Sequence, residues 1–324
     1  MRLTRRALMG ASLAAPIAAR AQGGYPERPV VLVAPFAPGG ASDVAARTLA
    51  GHADRHLGQP IVVENRTGAS GMVGTLHVRR AAPDGYTLLM ARIASSAIVP
   101  AIDRAAQYAW DEFTFLGLVD INPYVVVVRA DAPWRTLGEL IEEIRRRPGA
   151  LNHGSSGPST VLNLGIRYLL LQAGLAPDAT VEIPFRGGGE VATALLGGQV
   201  QIVGQNLSEI AGALQGGQAR ALVVTTPERF PAIPDVPTAR EAGFPALEGI
   251  VGWNALAGPP GLPEAVTRRW DAVLAALARD EAWLAATRRA GSVPQLRDGA
   301  AAKAFIGAQV ALYRELGRKL GMVS

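Results

Sequence analysis

The chain contains no cysteine. That removes disulfides, thiol nucleophiles and thiolate metal sites together, and in an oxidising compartment leaves stability to the core. A long hydrophobic run is also missing: no stretch reaches the ~20 apolar residues of a membrane span. With no cysteine after the N-terminal apolar segment, a lipid anchor at that point is excluded as well, so no membrane anchor is expected. Clustered basic charge is absent except for Arg145-Arg146-Arg147, at the end of an expected helix where cations complement the dipole. The formal charge of +5 arises largely from residues 1 to 22, which hold four of the 32 Lys and Arg and no acid, leaving 28 against 27 Asp and Glu. A balanced, scattered charge gives no support to nucleic-acid binding. What is abundant is apolar material, 49% of 324 residues, too much for a disordered chain and enough for two compact units at roughly 150 residues each.

The first segment reads as an export signal over residues 1–22. Arg2, Arg5 and Arg6 precede a weakly apolar run from Ala7 to Ala19, and Ala19-Arg20-Ala21 fits an A-x-A cleavage pattern. Thr4-Arg5-Arg6-Ala7-Leu8-Met9 is compatible with a twin-arginine signal or with a plain secretory signal carrying adjacent arginines. Either route leads to a periplasmic location.

Beyond it, short apolar runs alternate with helix-length segments. The pattern predicts a strand at Val30 to Ala34, a Gly/Pro loop, and a helix from Ser42 to about Leu57. A strand Ile61 to Glu64, a helix near Met72 to Ala81 and a strand Tyr86 to Ala91 follow. A second series after Asn122-Pro123 predicts strands at Tyr124 to Arg129, Leu151 to His153, Thr180 to Ile183, Val200 to Val203 and Ala221 to Val224. Helices are predicted over Leu137 to Arg147 and from about Thr160 to Ala173. This is an α/β chain with mainly parallel sheets, in which ligands sit near the carboxyl ends of strands. The proline-rich stretch after Thr225 reads as the return to the first lobe and its covering loops. The expected division is lobe 1 over 23–123 and 225–324, and lobe 2 over 124–224, joined by two crossings that make a hinge.

Two loops stand out. Pro35 to Asp43 joins a buried strand to a helix, with Gly39 and Gly40 permitting close backbone approach and Ser42 suited to cap the first turn. His153 to Thr160 repeats that chemistry in the second series. Each offers unpaired amide donors at a helix start, worth about 0.3 to 2 kcal/mol toward an anion. Either loop alone is equally a tight turn with an ordinary cap. Facing each other they would hold one anion between lobes. Asn65 to Gly71 and Pro184 to Glu190 are further small-residue loops for the same cleft.

The ordered set Pro35-Phe36-Ala37-Pro38-Gly39-Gly40 with Asp43, Val63-Glu64-Asn65-Arg66, Gly68-Ala69-Ser70-Gly71, Pro83-Asp84-Gly85-Tyr86, Ser155-Ser156-Gly157, Pro184-Phe185-Arg186-Gly187-Gly188, Gly197-Gly198-Gln199-Val200 and Pro234-Asp235-Val236-Pro237-Thr238 with Glu241-Ala242-Gly243 resembles the Bug-type extracytoplasmic receptors of tripartite tricarboxylate transporters. The resemblance covers essentially the whole chain after the signal. It implies a type II periplasmic-binding-protein fold, two lobes around an interlobe cleft, acting as a monomer. Such a receptor captures a small mono- or dicarboxylate and delivers it to membrane permease subunits. The ligand-binding residues it implies are Phe36, Ala37, Gly39, Gly40, Ala41, Ser42 and Asp43 in the first loop and Ser155, Ser156, Gly157, Ser159 and Thr160 in the second. Asp43 is expected mainly to order its own helix start, since a bare carboxylate would repel an anion. Where relatives resemble a run of small residues after the third strand, this chain has Arg92-Ile93-Ala94-Ser95. Arg92 either pairs with a second ligand carboxylate or serves its own lobe; Ser95, Arg186 and Gly187 are further candidates.

An exported α/β hydrolase or esterase is the competing class, with a serine of the second loop as nucleophile. Gly154-Ser155-Ser156-Gly157 lacks the G-x-S-x-G spacing, however, and a histidine adjacent in sequence does not make a triad. A receptor that reports occupancy to a sensor is a third possibility. His52 and His56 have the i, i+4 spacing of a metal pair but no third ligand or interior Glu. No catalytic, metal or cofactor site is expected.

Overall fold

The computed structural model describes residues 24–322; the export signal expected over residues 1–22 lies outside the described residues. Val30–Ala34 (β1) is a β-branched and apolar run almost wholly buried, as suits a strand covered on both faces. Ala41–Leu57 (α1) follows and stops at Gly58, whose φ of 83° provides the left-handed cap. Ile61–Asn65 (β2), Met72–Arg79 (α2) and Thr87–Arg92 (β3) complete a βαβαβ unit, with β2 and β3 on either side of β1, all parallel. A π-helical turn at Ala94–Ile98 and the short helix Val99–Ile102 (α3) come next.

Thr114–Arg129 (β4) is a single strand of 16 residues. The sequence predicts only its second part, because Asn122-Pro123 reads as a break. Pro123 instead lies in the ladder opposite Val251. Next come Leu137–Arg146 (α4), Asn152–Ser155 (β5), Val161–Gln172 (α5), Val181–Pro184 (β6), Gly188–Leu196 (α6), Ile202–Asn206 (β7), Leu207–Gln215 (α7) and Ala219–Val224 (β8). After the proline-rich stretch come Val251–Gly258 (β9), Glu264–Leu277 (α8), Glu281–Arg289 (α9), Val293–Asp298 (β10) and Gly299–Lys319 (α10). No helix among the described residues is long and apolar enough to cross a membrane.

The strand order is β2-β1-β3-β9-β4-β7-β5-β6, with β10 and β8 also on β4. Thr114 to Pro123 of β4 pair with β9, and Tyr124 to Arg129 pair with β7 and β8. One strand thus belongs to both lobes, and its partners change between Pro123 and Tyr124. The outer strands of each lobe run parallel as expected, whereas every pairing made by β4 and β9 is antiparallel.

Packing of the proline-rich stretch differs from the sequence reading. Val224 N donates to Pro237 O (3.0 Å) and Ala239 N to Val224 O (2.8 Å), which folds the stretch back along β8. Residues 232–237 share a groove with Arg135–Gly138 and Ala219–Leu222. The chain leaves this lobe only at Ile250, whose carbonyl accepts from the buried Thr225 hydroxyl at 2.6 Å, and continues into β9. Prolines announce a non-helical segment; they carry no information about which lobe it covers.

Candidate functional site

The cap of α1 is not the one expected. Gly40 occupies the N-cap position without any side-chain bond, and Ser42 lies inside the first turn. Asp43 organises the loop instead: its Oδ2 accepts from Gly39 N (3.0 Å), and its Oδ1 from Arg47 Nε and Asn65 Nδ2 (both 2.9 Å). Asn65 Nδ2 also reaches Phe36 O at 2.9 Å, tying β2 to the loop. Burial alone would raise the Asp43 carboxyl, but the hydrogen bonds from Arg47, Gly39 and Asn65 prevail and hold it below its ordinary pKa. The Asp43 carboxylate is thus engaged on every side within its own lobe. Gly39 has a φ of 77°, a left-handed conformation that a β-branched side chain resists.

Relieved of capping, the Ser42 hydroxyl is buried and has no hydrogen-bond partner among the described residues. It lines a narrow pocket, of about 10 Å³ in this arrangement of the lobes, with Phe36, Ala41, Arg92, Ser156 and Thr160, all six candidates from the sequence. Asn206 and Glu209 line it too and carry no feature that singled them out, apart from the N-x-x-E pattern of an ordinary capping box. A larger surface groove, between Arg135–Gly138 and residues 232–242, contains no buried charged side chain. The smaller pocket does contain one, and therefore has the stronger claim as a binding site.

That charge is Arg92, at the end of β3 and only 4% exposed. Its Nη1 donates to Trp253 O at 3.0 Å. No carboxylate oxygen lies within 4.0 Å of it among the described residues. Burial draws the guanidinium's pKa down, and the charges of Glu209 and Asp120 partly offset this. A buried cation without a paired acid is an expensive arrangement unless something else supplies the negative charge.

The remaining candidates are divided. Ala37 and Gly39 meet the other lobe's Gly187–Gly189 turn: a Cβ on Gly187 would lie 3.1 Å from Ala37 N, and one on Gly189 would lie 3.0 Å from the Gly39 carbonyl carbon. Gly40 is next to that turn, 3.7 Å from Gly188 N by the same measure. In the second loop, the Ser155 hydroxyl donates to Glu182 (2.5 Å) and accepts from Gly157 N (3.1 Å), and Thr160 Oγ1 donates to Gly157 O (2.7 Å). Ser159 crosses between lobes, its hydroxyl 3.1 Å from Asp103 Oδ2. Gly157 packs against Ser70. Ser95 is buried beside Gly71, outside the pocket lining, and its carbonyl accepts from the Tyr108 hydroxyl. Arg186 is a correction: its side chain is 78% exposed and paired with Glu190 one helical turn on, directed to solvent rather than into the pocket.

The esterase reading loses its histidine. His153 is buried, with Nε2 3.0 Å from Asn163 Oδ1 and Nδ1 2.9 Å from Thr180 Oγ1, so both ring nitrogens are taken by residues other than Ser155 and Ser156. His56 lies 3.7 Å from Asp280, and no group of three metal-ligating residues occurs among the described residues.

A family model described as "Tripartite tricarboxylate transporter family receptor" matches residues 45–322. A UPF0065 protein of Bordetella pertussis is 34% identical over 76% of this chain and 75% of its own length. Among solved structures, MatC from Rhodopseudomonas palustris with bound malate superposes with a TM-score of 0.84 at 29% identity, covering 90% of this chain and 99% of that one. A second R. palustris protein, solved with adipate, gives 0.87 at 27% identity, covering 92% and 98%. With the family model spanning most of its length and relatives of the same two-lobed fold on either side, the chain belongs to the receptors of the tripartite tricarboxylate transporter family.

Proposed function

We propose that this receptor captures a small dicarboxylate in the pocket between Phe36–Ser42, Ser156–Thr160 and Arg92, and delivers it to a membrane permease. The observation that carries the reading is the buried Arg92 guanidinium without an acid of its own, in the same pocket as the unpartnered Ser42 hydroxyl. One ligand carboxylate lies at the start of α1, where backbone amides and Ser42 receive it; the other meets the planar fork of Arg92. Relatives solved with malate and with adipate, both diacids, are consistent with two anion subsites at opposite ends of one pocket.

The hinge in this reading comprises the Pro123–Tyr124 crossing in β4 and the Ile250–Val251 crossing, with residues 225–250 moving as part of the second lobe. Ligand energy then selects the closed arrangement, which the permease recognises. The chain acts as a monomer in the periplasm, exported by its N-terminal signal. A thermal-shift screen of organic acids tests the reading, because a ligand at 100 times its Kd adds about 2.7 kcal/mol of stability. If no mono- or dicarboxylate raises the melting temperature, or if the best one is turned over, the receptor reading fails.

A further inference from the structure

Glu209 is the third residue of α7, and its carboxylate reaches back to the N-cap residue Asn206. Its Oε2 accepts from Asn206 N (3.3 Å) and Asn206 Nδ2 (2.8 Å). A capping-box glutamate needs nothing more than this local contact. Here the other oxygen crosses the cleft: Oε1 accepts from Ala41 N at 2.9 Å, the first amide of α1, 168 residues away in sequence and in the opposite lobe. One carboxylate therefore serves the positive ends of two helices that belong to different lobes. The space it occupies depends on Gly188, since a Cβ there would lie 2.1 Å from Oε1. Beside it, Ser42 contributes a buried, unpartnered hydroxyl to the same pocket.

We propose that Glu209 is a specificity-determining residue, an internal competitor whose carboxylate takes the α1 amide that a ligand carboxylate must take. The inference rests on the receptor reading above and adds a threshold to it. An acid binds only as tightly as its remaining contacts exceed the contact Glu209 gives up, so monocarboxylates bind more weakly than a diacid with a second anchor at Arg92. The same contact links the lobes, so displacing it couples ligand entry to lobe movement.

The test uses Glu209→Gln, which keeps a capping-box residue at that position, and Glu209→Ala, which removes the contact. Titration calorimetry with malate, adipate and hexanoate should show binding about tenfold tighter in both variants, the scale of one helix-terminus contact released, with the largest gain for hexanoate. Affinity that is unchanged or weaker in both variants for every acid the wild type binds overturns the proposal, because a simple closing contact would help the ligand rather than compete with it. A second readout needs no ligand. The cysteine-free chain accepts a dye pair at Val62→Cys and Val181→Cys, exposed positions on β2 and β6 in opposite lobes. Without added acid, Glu209→Ala and Gly188→Ala should lower transfer efficiency relative to the wild-type background, and no change in either overturns the proposal. Should the wild type bind none of the acids, the carboxylate-receptor reading fails on that arm, and the dye-pair measurement alone decides the role of Glu209.

Discussion

Replacing Arg92 by methionine separates a ligand-binding role from a structural one, because the two predict effects on different quantities. The side chain is 4% exposed, donates one hydrogen bond to Trp253 O, and has no paired carboxylate among the described residues. Removing half of a buried ion pair typically costs about 3–5 kcal/mol, but a buried charge without a partner carries a desolvation cost that an apolar side chain does not. Glu209 and Asp120 contribute attraction that the variant loses, so the expected net change in unfolding free energy is within about 2 kcal/mol of zero. Binding should respond differently. A forked guanidinium–carboxylate contact comprises two charge-assisted hydrogen bonds of about 1.5–3 kcal/mol each, so its loss should weaken adipate by at least about a hundredfold. Hexanoate, which has the same carbon count and lacks the second carboxylate, should change by less than about threefold, since its only carboxylate belongs at α1. Urea unfolding without ligand gives the first quantity and calorimetry with the two acids gives the second. Equal losses for adipate and hexanoate would refute the subsite assignment. A fall in stability beyond about 4 kcal/mol with no selective loss of adipate would make Arg92 a structural cation of its own lobe.

Gly39→Val forces a β-branched residue into a φ of 77° and should lower affinity more than Asp43→Asn, which retains an acceptor for Gly39 N; equal or reversed losses in titration would count against recognition by the loop backbone. Arg186→Ala removes only an exposed pair with Glu190, so affinity and melting temperature should both stay unchanged, the latter to within about 0.5 kcal/mol of stability. Asp120 titrates unusually: burial pushes its carboxyl up to about 6, against the lowering effects of hydrogen bonds from Asn254 and Asn122 and the charge of Arg92. The folded protein therefore holds that proton more tightly than the unfolded chain does. Its stabilising contribution is complete below the unfolded value near 4 and is lost as pH rises through about 6, by roughly 3 kcal/mol in all. Urea midpoints from pH 4 to pH 7 should show wild-type stability falling relative to Asp120→Asn, and a flat difference would contradict the burial argument.

The elements best read from sequence are those whose local signals agree. Val30–Ala34 matches its predicted limits, and α1 and α4 match at Leu57 and Leu137 respectively, because an apolar run, a C-terminal glycine and a threonine cap at Thr136 each act within a few residues. Reading failed where a local signal had two meanings. Asn122-Pro123 is a turn signal on statistics alone, yet here the proline occupies a ladder position in a strand common to both lobes, so the first half of β4 is not legible from the sequence. Ser42 in the first turn looks like a cap, but Asp43 reaches back to Gly39 more effectively and leaves the serine facing the pocket. Glu209 shows the deeper limit. Asn206-Leu207-Ser208-Glu209 specifies a capping box, which uses one carboxylate oxygen; nothing within the helix determines what the second oxygen meets. Its partner is fixed by the closure of one lobe on the other and by the space left at Gly188, a relation between residues far apart in the chain. A contact of this kind has two halves, each an ordinary helix start or strand end, and its chemistry exists only when the lobes bring the halves together.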